Sequence, residues 1–195
     1  MQRLEGFTLV ELLVVLAIIG LLTALAVPGL LDARRRSNEA SAVASLHAIA
    51  DAQETYASSC TTGDFASRLT QLALPPENGG VAFISSELGL ADVIVKSGYR
   101  VTLLRGSDGG PGQAAACNGV PSTELTSSYY ATAEPTVSGG TGDAYYWLGV
   151  PGIVFSHESR IVTTAGRSPA PGGDPVDGRP AGRRRRGDLP PLTVP

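Results

Sequence analysis

Gly6-Phe7-Thr8-Leu9-Val10-Glu11-Leu12-Leu13-Val14-Val15-Leu16-Ala17-Ile18-Ile19-Gly20 opens an apolar run that continues to Leu31 and holds a single charge, Glu11. As a helix, the run from Phe7 to Leu31 reaches roughly 37 Å, enough to cross a bilayer with some tilt. A carboxylate inside hydrocarbon costs on the order of 2.5–3.5 kcal/mol, so Glu11 requires a partner. A secretory signal carries its cleavage site after the apolar core. Here the small residue, Gly6, stands before the core, behind the short polar leader Met1-Gln2-Arg3-Leu4-Glu5-Gly6. Cleavage after Gly6 leaves the apolar helix in the mature chain. It also creates an α-amino group on Phe7 that is cationic below a pKa of about 7.7–8. That cation is a natural partner for Glu11. The other reading is a plain signal anchor, which needs Gly6, Phe7, Glu11, Gly20 and Pro28 to coincide by chance.

Together these residues resemble the N-terminus of type IV pilins and of the pseudopilins of type II secretion. The resemblance implies cleavage between Gly6 and Phe7 by a prepilin peptidase, followed by N-methylation of Phe7. It implies that Glu11 pairs with the Phe7 amine of a neighbouring subunit during filament assembly. Gly20 and Pro28 match the family pattern, where they bound a stretch of helix that loosens in the filament. The match covers residues 6 to 31, continues in kind to about residue 58, and beyond that rests on architecture.

The resemblance also sets the expected partners and location. The partners are other pilin subunits, a prepilin peptidase/methyltransferase and an inner-membrane assembly platform. The expected location is the bacterial inner membrane, single-pass and N-in, and then an extracellular pilus or periplasmic pseudopilus. Arg34, Arg35 and Arg36 follow the span while only Arg3 precedes it, so a count of cations points to the opposite orientation. The two cysteines and the resemblance set the N-in expectation.

From Asp32 to Ser58 the sequence stays helical in character, without Gly or Pro. Val43, Leu46, Ile49, Ala50 and Tyr56 recur near helical spacing, so one stripe can pack on a sheet. Pro28 lacks an N–H and predicts a kink. Asp64 to Leu74 has a weak helical pattern, ended by Pro75-Pro76, and residues 77 to 98 are mixed. Strand signals follow at 99–104, 128–133, 144–148 and 153–156. Pro151-Gly152 fits the centre of a type II turn between the last two. The expected fold is α+β: a long N-terminal helix packed on a small antiparallel sheet of three or four strands. The domains read as leader 1–6, transmembrane or filament-core helix 7–31, globular head 32–165, and disordered tail 166–195.

Cys60 and Cys117 are the only cysteines. In an exported domain an isolated pair most simply forms one disulfide, the other reading being two thiols. The net charge of −3 excludes a globally basic nucleic-acid binder. It conceals a tail, Ser168 to Pro195, that carries five Arg against three Asp and contains seven Pro and five Gly. Such a composition has little with which to build a core. Within it, Arg183-Arg184-Arg185-Arg186 reads as a solvated linker end, or as a patch that attracts DNA or acidic surface polymers.

No catalytic constellation is apparent, and no cofactor or metal is expected. His157 has Ser156, Glu158 and Ser159 beside it, but neighbours on a strand point to opposite faces and form no relay. Asp108, Asp143 and Glu158 are the candidate calcium ligands, without a dense acidic loop to converge them. The loop Gly106 to Gly112 lacks a phosphate loop's GK[ST] ending. Tyr129, Tyr130, Tyr145, Tyr146 and Trp147 read as core and sheet-face residues. The functional expectation is a structural filament subunit, a major or minor pilin. A type II secretion pseudopilin is the alternative, and a DNA- or surface-binding minor subunit is the second alternative.

Overall fold

The computed structural model describes residues 7–150, 152–157 and 174–175. The leader, Pro151, Glu158 and the arginine run lie outside them, as does most of the tail expected to be disordered. A single helix, α1, spans Leu9–Ser59, 51 residues with Pro28 inside it, or about 77 Å at ideal rise. Strong helix formers, chiefly Leu and Ala, fill it, and good capping at Thr8 starts it. From Phe7 to Arg34 all its side chains are exposed. Farther on it buries one stripe of Ala42, Ser45, Leu46, Ile49, Ala52, Gln53 and Tyr56.

The stripe is rotated from the expected one. Val43 and Ala50 lie half-buried at its margins, while the polar Ser45 and Gln53 lie inside. Each polar residue is satisfied. The Ser45 hydroxyl donates to the Ser41 carbonyl at 2.8 Å. Gln53 donates from Nε2 to the Ala66 carbonyl at 2.7 Å and accepts the Ala66 N–H at 2.9 Å. A buried amide that answers one residue's N–H and C=O takes the place of a neighbouring strand.

The elements after α1 are β1 (Phe65–Ala66), α2 (Leu69–Leu72), β2 (Val93–Lys96), β3 (Tyr99–Arg105), β4 (Leu125–Thr126), β5 (Tyr129–Pro135), β6 (Tyr145–Gly149), β7 (Ile153–His157) and β8 (Asp174–Pro175). β1 pairs with β4, and the remaining strands form an antiparallel sheet in the order β2-β3-β5-β6-β7-β8. The fold is therefore α+β, a long N-terminal helix on antiparallel sheets. The four strands expected from alternation are β3, β5, β6 and β7, and the sheet extends beyond them at both edges. β2 escaped the sequence pattern because its partner turn is Ser97-Gly98 rather than Asn-Gly. Both residues have positive φ, 49° and 74°, as a two-residue type I′ hairpin requires.

Two local expectations differ from the structure. The weak helical pattern of Asp64 to Leu74 resolves into β1 and one short turn, α2, whose N-cap Arg68 makes no side-chain cap bond. A nucleus of that length gains little from its own hydrogen bonds, so tertiary pairing decides. In the β6–β7 hairpin, Gly149 pairs with Ile153, so the loop is residues 150–152. Gly152 is the closing residue of that turn: it donates its N–H to the Gly149 carbonyl and has φ +90°. The bond thus closes one residue earlier than a turn centred on Pro151-Gly152, although the φ of Gly152 is what that centre asks of a glycine. A longer hairpin loop uses Gly in this way to match the twist of the strands.

The sheet presents Ile94, Tyr99, Val101, Leu103, Tyr129, Ala131, Ala133, Tyr146, Leu148 and Val154 to the core that also holds the α1 stripe. Ala131 and Ala133, small residues on β5, let the helix approach closely. Trp147 stacks instead on Phe155, centroids 4.8 Å apart at 18°. Cys60, the C-cap of α1, is bonded to Cys117. This ties the distal end of the helix to the long connection before β4, and the Cys117 N–H also reaches the Cys60 carbonyl at 2.8 Å.

Candidate assembly site at the helix tip

Thr8 is the N-cap of α1, with φ −81° and ψ 147°. Its hydroxyl accepts the Glu11 N–H at 3.3 Å, and the Glu11 carboxylate accepts the Thr8 N–H at 3.1 Å and hydroxyl at 2.7 Å. This reciprocal capping box satisfies orphan donors at the helix start. The sequence reading missed it, although Thr8 followed three residues later by Glu11 is its signature. Phe7 is 76 % exposed beside it. The structure thus brings Phe7, Thr8 and Glu11 together at one end of a bare apolar rod. Gly6 lies outside the described residues.

Along the rod, a Cβ added to Gly20 meets nothing within 4 Å, so nothing in the chain's own packing demands a glycine there. Pro28 removes the N–H that the Ala24 carbonyl would accept in a regular helix. Thr23 donates to the Ile19 and Gly20 carbonyls at 2.9 and 3.0 Å. The 18-residue window that marks the membrane-length segment has a mean hydropathy of 2.7 and is 0 % buried. By length and composition α1 can cross a membrane.

Where the rod enters the head, polar contacts form a collar. Asn38 donates to the Thr141 carbonyl at 2.9 Å, and Glu39 accepts the Asp143 N–H at 3.0 Å. Ser41 donates to Ser97 at 2.9 Å. Arg35, from the cluster whose charge count opposes the N-in expectation, lies 3.8 Å from Asp32 and 3.9 Å from Asp143. Gly142 is packed so closely on the Tyr99 ring that a Cβ would overlap it. At the other end of the head Asn118 is a buried hub. It accepts the Tyr56 hydroxyl at 3.0 Å and donates to the Gln71 and Leu74 carbonyls at 2.9 and 3.3 Å. Burial pushes the Tyr56 phenol up to about 12.

Of the candidate calcium ligands, Glu158 lies outside the described residues. Asp143 serves the collar and Asp108 sits in the 106–112 loop beside Ser107. Among the described residues no group of three or more His, Cys, Asp or Glu side chains is placed to hold a metal. His157 ends β7, and Glu158 and Ser159 lie outside the described residues.

No curated protein and no solved structure matches this chain. Its N-terminus does match a family model, that of the prokaryotic N-terminal methylation motif, over residues 1–27. The capping box, the bare rod and the matched segment coincide. The chain therefore opens with the prepilin-type signal found on precursors of type IV pilins and pseudopilins.

Proposed function

We propose that the chain is a structural subunit, a major or minor pilin, of a type IV pilus-like filament. The observation that carries this reading is the division of α1. One half is apolar and wholly exposed beyond the head, and the other half is built into the head's core. A bare helix of this kind has only two stable surroundings, lipid before assembly and the apolar flanks of other such helices afterwards. Prepilin peptidase cuts between Gly6 and Phe7 and the new amine is methylated. The precursor sits N-in in the inner membrane, so the head and its disulfide face the oxidising side.

In this reading Glu11 exchanges partners. In the single chain its carboxylate caps its own helix. In a dry bundle the cationic Phe7 amine of a neighbour is the stronger partner, because it adds a full opposite charge to the hydrogen bond where water screens little. The exchange selects subunits in the correct axial register. Gly20 and Pro28, with no packing role in the single chain, give the rod a stretch that yields when it is bundled.

The test is peptide mass spectrometry of filaments sheared from the native cell surface. Abundant chain beginning at N-methyl-Phe7 supports the proposal. Methylated chain confined to membrane and periplasmic fractions excludes a major surface pilin and favours a pseudopilin or a rare minor subunit, and intact Met1 in every fraction overturns processing itself.

A further inference from the structure

On the flank of α1 away from the collar, a cleft of about 520 Å³ opens between the helix, β1 and the β6–β7 hairpin. Its walls include His47, Asp51, Glu54, Phe65, Tyr129 and Gly152. The hairpin tip closes one end, since a Cβ on Gly152 would sit 3.6 Å from that of Ala50. Phe65 and Tyr129 form an aromatic wall, with ring centroids 4.9 Å apart and tilted by 58°. Asp51 and Glu54 are exposed and one turn apart, so both carboxylates stand on the same side of the helix. Among the described residues neither Arg nor Lys lines the cleft.

Tyr129 is only 4 % exposed, yet no described residue hydrogen-bonds its hydroxyl. Burial pushes this phenol up to about 12, and the Glu54 and Asp51 charges push it the same way. Since no buried side-chain polar atom lacks a partner among the described residues, this hydroxyl opens to the solvent of the cleft, and an acidic cavity with such an aromatic wall is suited to a planar cation. A guanidinium stacks on an aromatic face and donates in its plane to carboxylates, whereas an anion meets repulsion from both.

The chain carries such a group within reach. β8 runs antiparallel to β7, with Asp174 opposite Ser156 and Pro175 opposite Phe155. The backbone therefore leaves Pro175 towards the Ile153 end of β7, next to the Gly152 lip of the cleft. From Pro175 to Arg183 an extended chain covers up to about 28 Å. The direction of β8, the length of chain that follows it and the charge of the arginine run thus agree on one occupant.

We propose that this cleft binds the chain's own C-terminal arginine run, Arg183–Arg186, with guanidinium groups paired to Asp51 and Glu54 against the Phe65–Tyr129 wall. Docking places the chain's densest positive charge on its own head and withholds it from external polyanions. The proposal stands independently of whether the chain forms a surface pilus.

The test is limited trypsin digestion of the full chain in mild detergent, with cleavage after Arg183–Arg186 followed by mass spectrometry. Asp51→Asn/Glu54→Gln, or raised salt, should speed that cleavage about tenfold, because proteolysis follows the undocked population. Glu87→Gln, which removes a carboxylate paired with Lys96 on the far edge of the sheet, should leave the rate unchanged. Equal rates in wild type and the double variant overturn the proposal. Protection that disappears on dilution assigns the cleft to a neighbour's tail and also overturns it. Since all these substitutions are at exposed positions, an unchanged Trp147 emission spectrum verifies that the head is intact.

Discussion

Replacing Gln53 by Leu tests whether a side chain takes the place of a strand in this head. Gln53 is fully buried at 0 % exposure, and its amide makes both bonds of Ala66, itself 0 % exposed. Leu fills a similar volume and removes the amide, leaving the Ala66 N–H and C=O buried without partners. Each orphaned group costs roughly 1–3 kcal/mol, and the added apolar burial returns about 1 kcal/mol. The expected net loss is about 3 kcal/mol. Urea unfolding of the full chain in mild detergent, followed by the emission of Trp147, measures it. Thr55→Ala, at an exposed position two residues away, provides the baseline. A loss below about 0.5 kcal/mol, the scatter expected for surface substitutions, would refute the reasoning. It would mean that β1 is held by its pairing with β4 alone.

The other expectations concern charge, covalent linkage and pH. Cys60→Ser opens a loop of sequence separation 57 and should cost about 4 kcal/mol by loop entropy. An oxidised-state urea midpoint equal to wild type would contradict this. Glu11→Ala should leave leader removal intact and abolish incorporation into filaments with wild-type neighbours, and normal incorporation would remove the exchange of partners from the mechanism. The phenols of Tyr56, Tyr129 and Tyr146 are each held at about 12, against about 10 in an unfolded chain. The folded state keeps protons that the unfolded chain loses. Stability from this source is thus complete below pH ~10 and is lost as pH rises through ~12. An ultraviolet titration in which all phenols ionise together near pH 10 in the folded chain would refute it.

Some of this molecule is visible in its sequence, and the division follows the range of the interactions. The apolar run to Leu31 and the alternation in β3, β5, β6 and β7 are local patterns, and solvent imposes them directly. Cys60 and Cys117 were a readable pair because the chain has no others. Contacts far apart in sequence left no such trace. Gln53 and Asn118 look like surface residues in one dimension, and only the backbone groups they meet in the folded head explain their burial. The edge strand β2 depends on a Ser-Gly turn with positive φ at Ser97, whose hydroxyl Ser41 reaches from α1. Arg35 was conspicuous as an anomaly of charge count, and its partner Asp143 lies more than a hundred residues downstream. At the tip, the Thr8–Glu11 box was legible in principle. Attention to what Glu11 lacked in a membrane concealed what it gains from its own first turn.

The collar has a mechanical consequence. Asn38, Glu39, Ser41 and Arg35 link successive turns of one helix to two adjacent loops of the head. A pull along the axis of α1 loads these links side by side, in shear. Peeling would break them one after another. Beyond the collar the same rod ends in a covalent bond at Cys60, so tension that overcomes the polar links is arrested by the sulfur bridge before the head is drawn off its shaft.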